Sequence, residues 1–241
     1  MINWQIYSYE TLESTNDEIR RFCSGKNQYI VVQTKKQTAG RGRRGRTWQS
    51  LEGNLFFSAA LEFDLQNLGA LVLISALSVL QTVCAFAPNA DVELKWPNDV
   101  LLNGSKVCGI LLEKGPENYM IIGIGVNVAQ SPDNAAMLYP TTSLKKAGIS
   151  TDANAFLQRF LPIFAANLET FAQSGTEPIR QAWLSHAAGL NRPIIVKREN
   201  SEQHGIFQGL DSDGRLLLQH NNQITAVSVG DVFFNKEEKD E

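Results

Sequence analysis

Residues 92–128 read VELKWPNDVLLNGSKVCGILLEKGPENYMIIGIGVNV. Pro97 stops the run from Val92 to Trp96, and Val100 to Leu102 begins the next. Asn103-Gly104 is the strongest short hairpin signal, because Asn and Gly accept the positive φ of a two-residue turn. Val107 to Glu113 therefore returns antiparallel. Gly115-Pro116-Glu117-Asn118 makes a second turn, and Tyr119 to Val128 is a long strand. Strands joined by turns this short pair antiparallel, since a parallel crossover needs a dozen residues or more.

Working outward, Tyr29 to Thr34 is a β-branched run and Asn54 to Phe63 an apolar one, so both are predicted strands. Leu68 to Phe86 is the predicted central helix. Leu65 to Pro88 is apolar but broken by Gln66, Asn67, Ser75, Ser78, Gln81 and Thr82, and reads as buried helix, not membrane span. Ser14 with Asp17 three residues on is an approximate capping box, which starts a helix that ends near Gly25. Asp152 to Ala172 and Glu177 to Leu190, with Gly189 near its end, are further helices. Pro193 to Phe234 holds short strands and the turn Asp213-Gly214, the size of a small β-barrel. The expected class is α+β, a mixed or antiparallel sheet with helices, divided into 1–190 and a C-terminal module 191–241. Lys236 to Glu241 is a charged tail.

The chain has 241 residues, 43% hydrophobic and 20% charged, with a net charge of −3, so it is not a basic nucleic-acid binder as a whole. Cys23, Cys84 and Cys108 are scattered without metal-ligand spacing, which suits reduced thiols in a cytoplasm. The N-terminus has no signal-peptide pattern. His186, His204 and His220 lie away from every motif below and read as structural or surface residues.

Against that acidic background, residues 40–46 read GRGRRGR, four arginines and three glycines. Glycine lets backbone approach a ligand, and arginine forks match phosphate and carboxylate oxygens. A solvated basic loop or an RNA-binding patch fits the composition as well. A P-loop does not, because Trp48 to Gly53 leads to a strand where a helix is required. Gly123-Ile124-Gly125 is not a dinucleotide fingerprint, since the third glycine is Val128 and the segment lies in a strand. In that strand Met120, Ile122, Ile124, Val126 and Val128 share one face. Ile121, Gly123, Gly125 and Asn127 share the other, leaving room for a ligand or for close helix packing. Lys95-Trp96-Pro97-Asn98-Asp99 is either an ordinary turn or a turn whose lysine meets phosphate and whose Asp99 meets a divalent cation. Lys106, in an otherwise apolar strand, is either an edge gatekeeper or a partner for a ligand carboxylate.

Together these segments resemble the biotin–protein ligase family. The matches are Ser14-Thr15-Asn16, Gln37 to Arg43, Trp48, Gly53-Asn54-Leu55, Lys95 to Asp99, Lys106 with Gly109-Ile110-Leu111, and Gly123 to Asn127, in the family's order. The resemblance implies a class II synthetase-like catalytic domain followed by an SH3-like barrel. It implies that biotin and ATP, with Mg²⁺, give biotinyl-AMP, whose biotin passes to a lysine of a biotin carboxyl carrier protein. Ser14, Thr15, Asn16, Gln37, Gly40, Arg41, Gly109 and Gly123 are implied at biotin. Arg43 and Lys106 are implied at its carboxylate or the adenylate phosphate. Arg46, Trp48, Lys95, Asn98, Asp99 and Asn127 are implied at the nucleotide, with Mg²⁺ near Asp99. Arg43, Lys95 and Lys106 carry the catalytic charge. With motifs from Ser14 onward, it further implies a form without the N-terminal DNA-binding domain of some members, hence no DNA partner; homodimers occur among relatives, and the interrupted Leu65–Pro88 stretch leaves no membrane partner expected. Lipoate–protein ligases resemble this chemistry but carry a different glycine-rich loop. A non-enzymatic anion- or nucleic-acid-binding module would leave Lys95–Asp99 and Gly123–Asn127 without a role.

Overall fold

The computed structural model describes residues 2–24, 28–132, 139–199 and 201–234. The expected helix end near Gly25 and the expected tail at Lys236–Glu241 lie outside them. Four strands follow one another as expected: β4 (Val92–Lys95), β5 (Asp99–Leu102), β6 (Ser105–Lys114) and β7 (Tyr119–Val126), all antiparallel. The β5–β6 turn takes φ of 52° at Asn103 and 68° at Gly104, the left-handed pair that the dipeptide was chosen for.

The same sheet continues through β3 (Leu55–Glu62), β2 (Tyr29–Gln37) and β1 (Trp4–Leu12), in the order β1-β2-β3-β7-β6-β5-β4. β1 was not anticipated. It is an edge strand, mostly half-buried or exposed, so its sequence lacks the apolar run that marks an inner strand. It pairs parallel with β2 across the short helix α1 (Thr15–Ile19), which makes the sheet mixed. α1 is followed by a 3₁₀ turn, Arg20–Phe22. The capping box does not form: Ser14 makes no side-chain cap, and Asp17 turns outward to Arg41.

One face of the sheet is covered by α2 (Leu68–Phe86), α3 (Ala153–Ser174) and α4 (Thr176–Leu184). Met120, Ile122, Ile124 and Val126 point into this core. α2 is long and apolar enough by composition to cross a membrane, but it lies inside the core. Its polar residues are satisfied within the helix: Ser75, Ser78 and Thr82 donate to the carbonyls of Leu71, Ile74 and Ser78, at 2.7, 2.7 and 2.6 Å. Asn167 of α3 donates to Ser78 and Gln81. α4 stops six residues before the predicted end because the following backbone is diverted to the edge of β4, where Leu94 exchanges hydrogen bonds with His186 and Ala188. Phe160 stacks on Phe164 and meets Phe57 edge to face, with no exposure. Phe160→Ala is expected to cost about 3–5 kcal/mol, read as a shift of the urea midpoint at unchanged slope.

The second sheet is antiparallel, ordered β11 (Gln223–Val227), β10 (Leu216–His220), β9 (Glu202–Leu210), β8 (Pro193–Lys197), β12 (Asp231–Phe234). Its inward residues Val196, Phe207, Leu218 and Val232 join the same hydrophobic cluster as the first sheet. The Trp96 indole donates to the Gly214 carbonyl at 3.0 Å. Gly69 of α2 abuts Asp213, where any Cβ would fall 1.8 Å from the carbonyl oxygen. Gly230, just before β12, lies beside the same Trp96 ring, where a Cβ would fall 3.7 Å from it.

Candidate active site

That other face carries α1 at one end, over Ile30, Val32, Ala60 and Ile121, and a cavity of about 470 Å³ beside it. The volume is in the range of small-molecule sites. Period two along β7 places Gly123, Gly125 and the following Asn127 in its wall. Each glycine seats one wall residue. A Cβ on Gly123 would lie 2.5 Å from Asn16 Oδ1, and one on Gly125 would lie 2.4 Å from the Trp48 ring. The glycine face therefore serves both readings open at the sequence level: neighbours pack close, and the close packing shapes a cavity.

At the α1 end the wall is polar and uncharged apart from Arg41, whose charge is paired with Asp17 of α1. The Gln37 carbonyl oxygen accepts from the Thr15 amide at 2.9 Å and from its hydroxyl at 3.2 Å. Ser58 donates toward Thr15 and Asn16. Asn16 Nδ2 and Trp48 Nε1 are buried with no protein partner, an arrangement that a ligand acceptor would relieve.

At the other end the wall is charged. Lys106 pairs with Asp99 at 2.5 Å, and its ammonium lies 5.5 Å from the Trp48 ring centroid. The Gly40–Arg46 loop folds as a small hairpin: Gly42 N–H donates to Arg46 and Trp48 N–H to Gly40. Arg44 takes a φ of 55°, in the left-handed region. All four arginines are held. Arg41 meets Asp17 at 2.6 Å and Glu113 at 3.6 Å, and Arg43 donates to Asn98 at 3.0 Å. Arg44 and Arg46 both reach Asp231, Arg44 at 3.1 Å. Burial lowers the Arg43 guanidinium, with Asp231 and Asp99 opposing it. For Asp231, burial works upward, but the hydrogen bond and charge of Arg46, with Arg44 and Arg43, hold the carboxyl below its ordinary range.

The structure thus gathers Ser14, Thr15, Asn16, Gln37, Arg41, Arg43, Arg46, Trp48, Asn98, Asp99, Lys106, Gly109, Gly123 and Asn127 around one cavity. Two expected residues are not in its wall. Gly40 is buried at the neck of the loop, where a Cβ would fall 2.7 Å from the Trp48 carbonyl. Lys95 lies behind the wall, 3% exposed, with its ammonium 2.9 Å from the centre of the Tyr139 ring and near Phe233 and Phe234. Asp231, Tyr139 and Thr141 line the cavity and were missed. None stands in a motif, and Asp231 arrives from the other sheet.

Burial pushes Lys95 down to about 7, while Asp99 and the Tyr139 ring favour the ammonium. An unfolded lysine titrates near 10.4, above this folded value. As pH falls from about 10 to 7 the unfolded chain takes up the proton first, so stability falls through this window and levels off below it. Lys95→Met is expected to flatten that slope in denaturation curves taken across the window. A slope as steep as that of the parent chain would place the titration elsewhere.

Among the described residues no three His, Cys, Asp or Glu side chains cluster as metal ligands. Asp99 is paired to Lys106, so a divalent cation would have to arrive with ligands of its own, such as phosphates.

Residues 8–127 match the biotin/lipoate A/B protein ligase family, and residues 189–235 match the biotin protein ligase C-terminal domain. A biotin–[acetyl-CoA-carboxylase] ligase of Paracoccus denitrificans is 39% identical, over 92% of this chain and 97% of its own length. A bifunctional ligase/repressor of Bacillus subtilis is 36% identical over 93% of this chain and 72% of its own. The biotin protein ligase of Aquifex aeolicus, solved in complex with biotin and ATP, superposes with a TM-score of 0.82 at 28% identity, covering 95% of this chain and 97% of that one. Kinship this extensive, joined to the shared fold, makes the chain a member of the biotin–protein ligase family.

Proposed function

We propose that the protein activates biotin with ATP to biotinyl-5′-AMP and transfers the biotin to a lysine of a biotin carboxyl carrier protein. One observation carries the reading: a single cavity joins a neutral polar end, at Thr15, Asn16 and Gln37, to an arginine-rich end, with Lys106 between them. Biotin's ureido group is neutral and polar, and its carboxylate and the nucleotide phosphates are anionic. The cavity matches that order. The first sheet and its loops supply most of this site, and Asp231 adds to its wall from the second sheet.

In the first step the biotin carboxylate oxygen attacks the α-phosphorus of ATP. A P–O bond forms, and the bond to the leaving pyrophosphate breaks. Two anions approach, so cationic groups must offset their repulsion and the charge of the transition state. Lys106 and Arg43 face the cavity and are placed for this; Arg46 takes outer phosphates, and Trp48 lies where adenine stacks. Lys95, behind Tyr139, acts as a positioning residue, through the ring it supports. Mg²⁺ supplies charge neutralisation when it enters with ATP, with Asn98 and Asp99 beside the phosphates. In the second step a neutral carrier lysine attacks the mixed anhydride, AMP leaves, and the amine loses its proton.

Biotin-dependent ATP–pyrophosphate exchange tests the reading. Exchange with biotin and none with lipoate is expected. Exchange with lipoate alone would reverse the substrate assignment, and exchange with neither would refute the enzyme. Arg43→Ala is expected to weaken retention of the adenylate by about ten- to a hundredfold while leaving folding intact, because Arg43 sits in a loop outside the hydrophobic core and, among the described residues, its side chain bonds Asn98. A large drop in melting temperature with full activity would contradict this.

A further inference from the structure

β3 turns Leu55, Phe57, Ala59 and Leu61 into the main core, so Phe56, Ser58 and Ala60 face the other way. Between the apolar Phe56 and Ala60 stands a hydroxyl, Ser58, with no exposure. Ser58 does not line the cavity itself, but it bonds two residues that do, Thr15 at 2.7 Å and Asn16 at 2.5 Å. The sheet register prepares this contact. Ser58 pairs with Gly123 of β7, and the missing side chain at Gly123 lets Asn16 settle onto the pair.

Geometry and proton counting fix the polarity of the bond. A separation of 2.5 Å suits O–H···O and is too short for N–H···O, so Asn16 turns its oxygen, not its amino group, to Ser58. Ser58 has one hydroxyl proton and two oxygens in reach. Thr15 Oγ1 can donate as well as accept, whereas Asn16 Oδ1 can only accept, so the Ser58 proton goes to Asn16. The Thr15 proton then lies between Ser58 and the Gln37 oxygen, at 2.7 and 3.2 Å. The Asn16 amino group is left for the cavity: Nδ2 is buried and has no protein partner among the described residues.

We propose that Ser58 is a positioning residue for ligand selection: by holding the Asn16 amide oxygen it makes Asn16 a hydrogen-bond donor in the cavity wall, and so favours a ligand that presents a carbonyl oxygen, as biotin's ureido group does. The proposal rests on the reading that the α1 end takes that ureido group. The two ends of a carboxamide are nearly the same size, so the hydrogen bond, not shape, tells them apart. Without the Ser58 proton the amide turns over freely, and the wall offers an acceptor as readily as a donor.

The test is calorimetric titration of the full chain with biotin, with 2-iminobiotin and with a non-hydrolysable ATP analogue. At neutral pH 2-iminobiotin is protonated and carries N–H where biotin has its carbonyl oxygen. Ser58→Ala is expected to weaken biotin about tenfold, the worth of one buried hydrogen bond. It should leave 2-iminobiotin and the ATP analogue near the parent's values, so that the preference for biotin narrows. Ser58→Cys, with a weaker donor of similar size, should fall between the two. Unchanged biotin binding by Ser58→Ala, or an equal loss for biotin and 2-iminobiotin, would overturn the proposal, the second because it marks a packing defect alone. Asn16→Ala separates the layers. If it binds biotin like the parent, the biotin end is misplaced and the proposal falls with that reading. If it weakens biotin while Ser58→Ala does not, only the role of Ser58 falls.

Discussion

Lys106→Ala is expected to slow biotinyl-AMP formation by about a thousandfold, the loss seen when a preorganised charge at a developing oxyanion is removed. Lys106 is placed for this by three features. The bulge between Val100 and Leu101 sets its register on β6, its ammonium is steered by Asp99, and Gly109 beside it leaves no side chain to crowd it. A Cβ on Gly109 would lie 3.2 Å from the ammonium nitrogen. Lys106→Arg keeps the charge but changes its shape, and should recover part of the rate. Single-turnover formation of the adenylate, with melting temperature as a control, is the measurement. A rate within a few fold of the parent would sink the assignment of Lys106 to the first step.

The second large effect is a pair. Gly123→Ala should weaken biotin by roughly ten- to a hundredfold and leave an ATP analogue almost untouched, because the new methyl must push Asn16 out of a well-packed wall. Asn16 is buried and bonded by Ser58, so retreat from the methyl gives up that bond and carries the amide into the cavity at the biotin end. Gly125→Ala should do the reverse. Its methyl meets the Trp48 ring at 2.4 Å and disturbs the nucleotide end. Two glycines only two residues apart on one strand would then report on two different ligands. If both variants weakened both ligands equally, the division of the cavity into a biotin end and a nucleotide end would be wrong.

Much of the catalytic sheet could be read locally. Asn103-Gly104 specified its turn, Pro97 ended a strand, and the alternation along Tyr119–Val126 separated core from cavity, because these signals act between near neighbours. The motif residues at the cavity were legible for the same reason: each sits in a short segment of unusual composition. β1 was not legible, because an edge strand buries too little to demand an apolar run. Nor was the early end of α4, which is decided by pairing of Leu94 with a segment some 90 residues away.

By itself, the sequence determined the hairpins, the central helix, the glycine face and the arginine loop, since local backbone preference and side-chain period decide these. Only the tertiary structure decided what each charge touches. It withdrew Lys95 behind Tyr139, turned Asp17 from a helix cap to a partner of Arg41, and brought Asp231 to Arg44 and Arg46 from 185 or more residues along the chain. The physical reason is that ion pairing depends on distance in space, and packing of the two sheets on one core sets that distance.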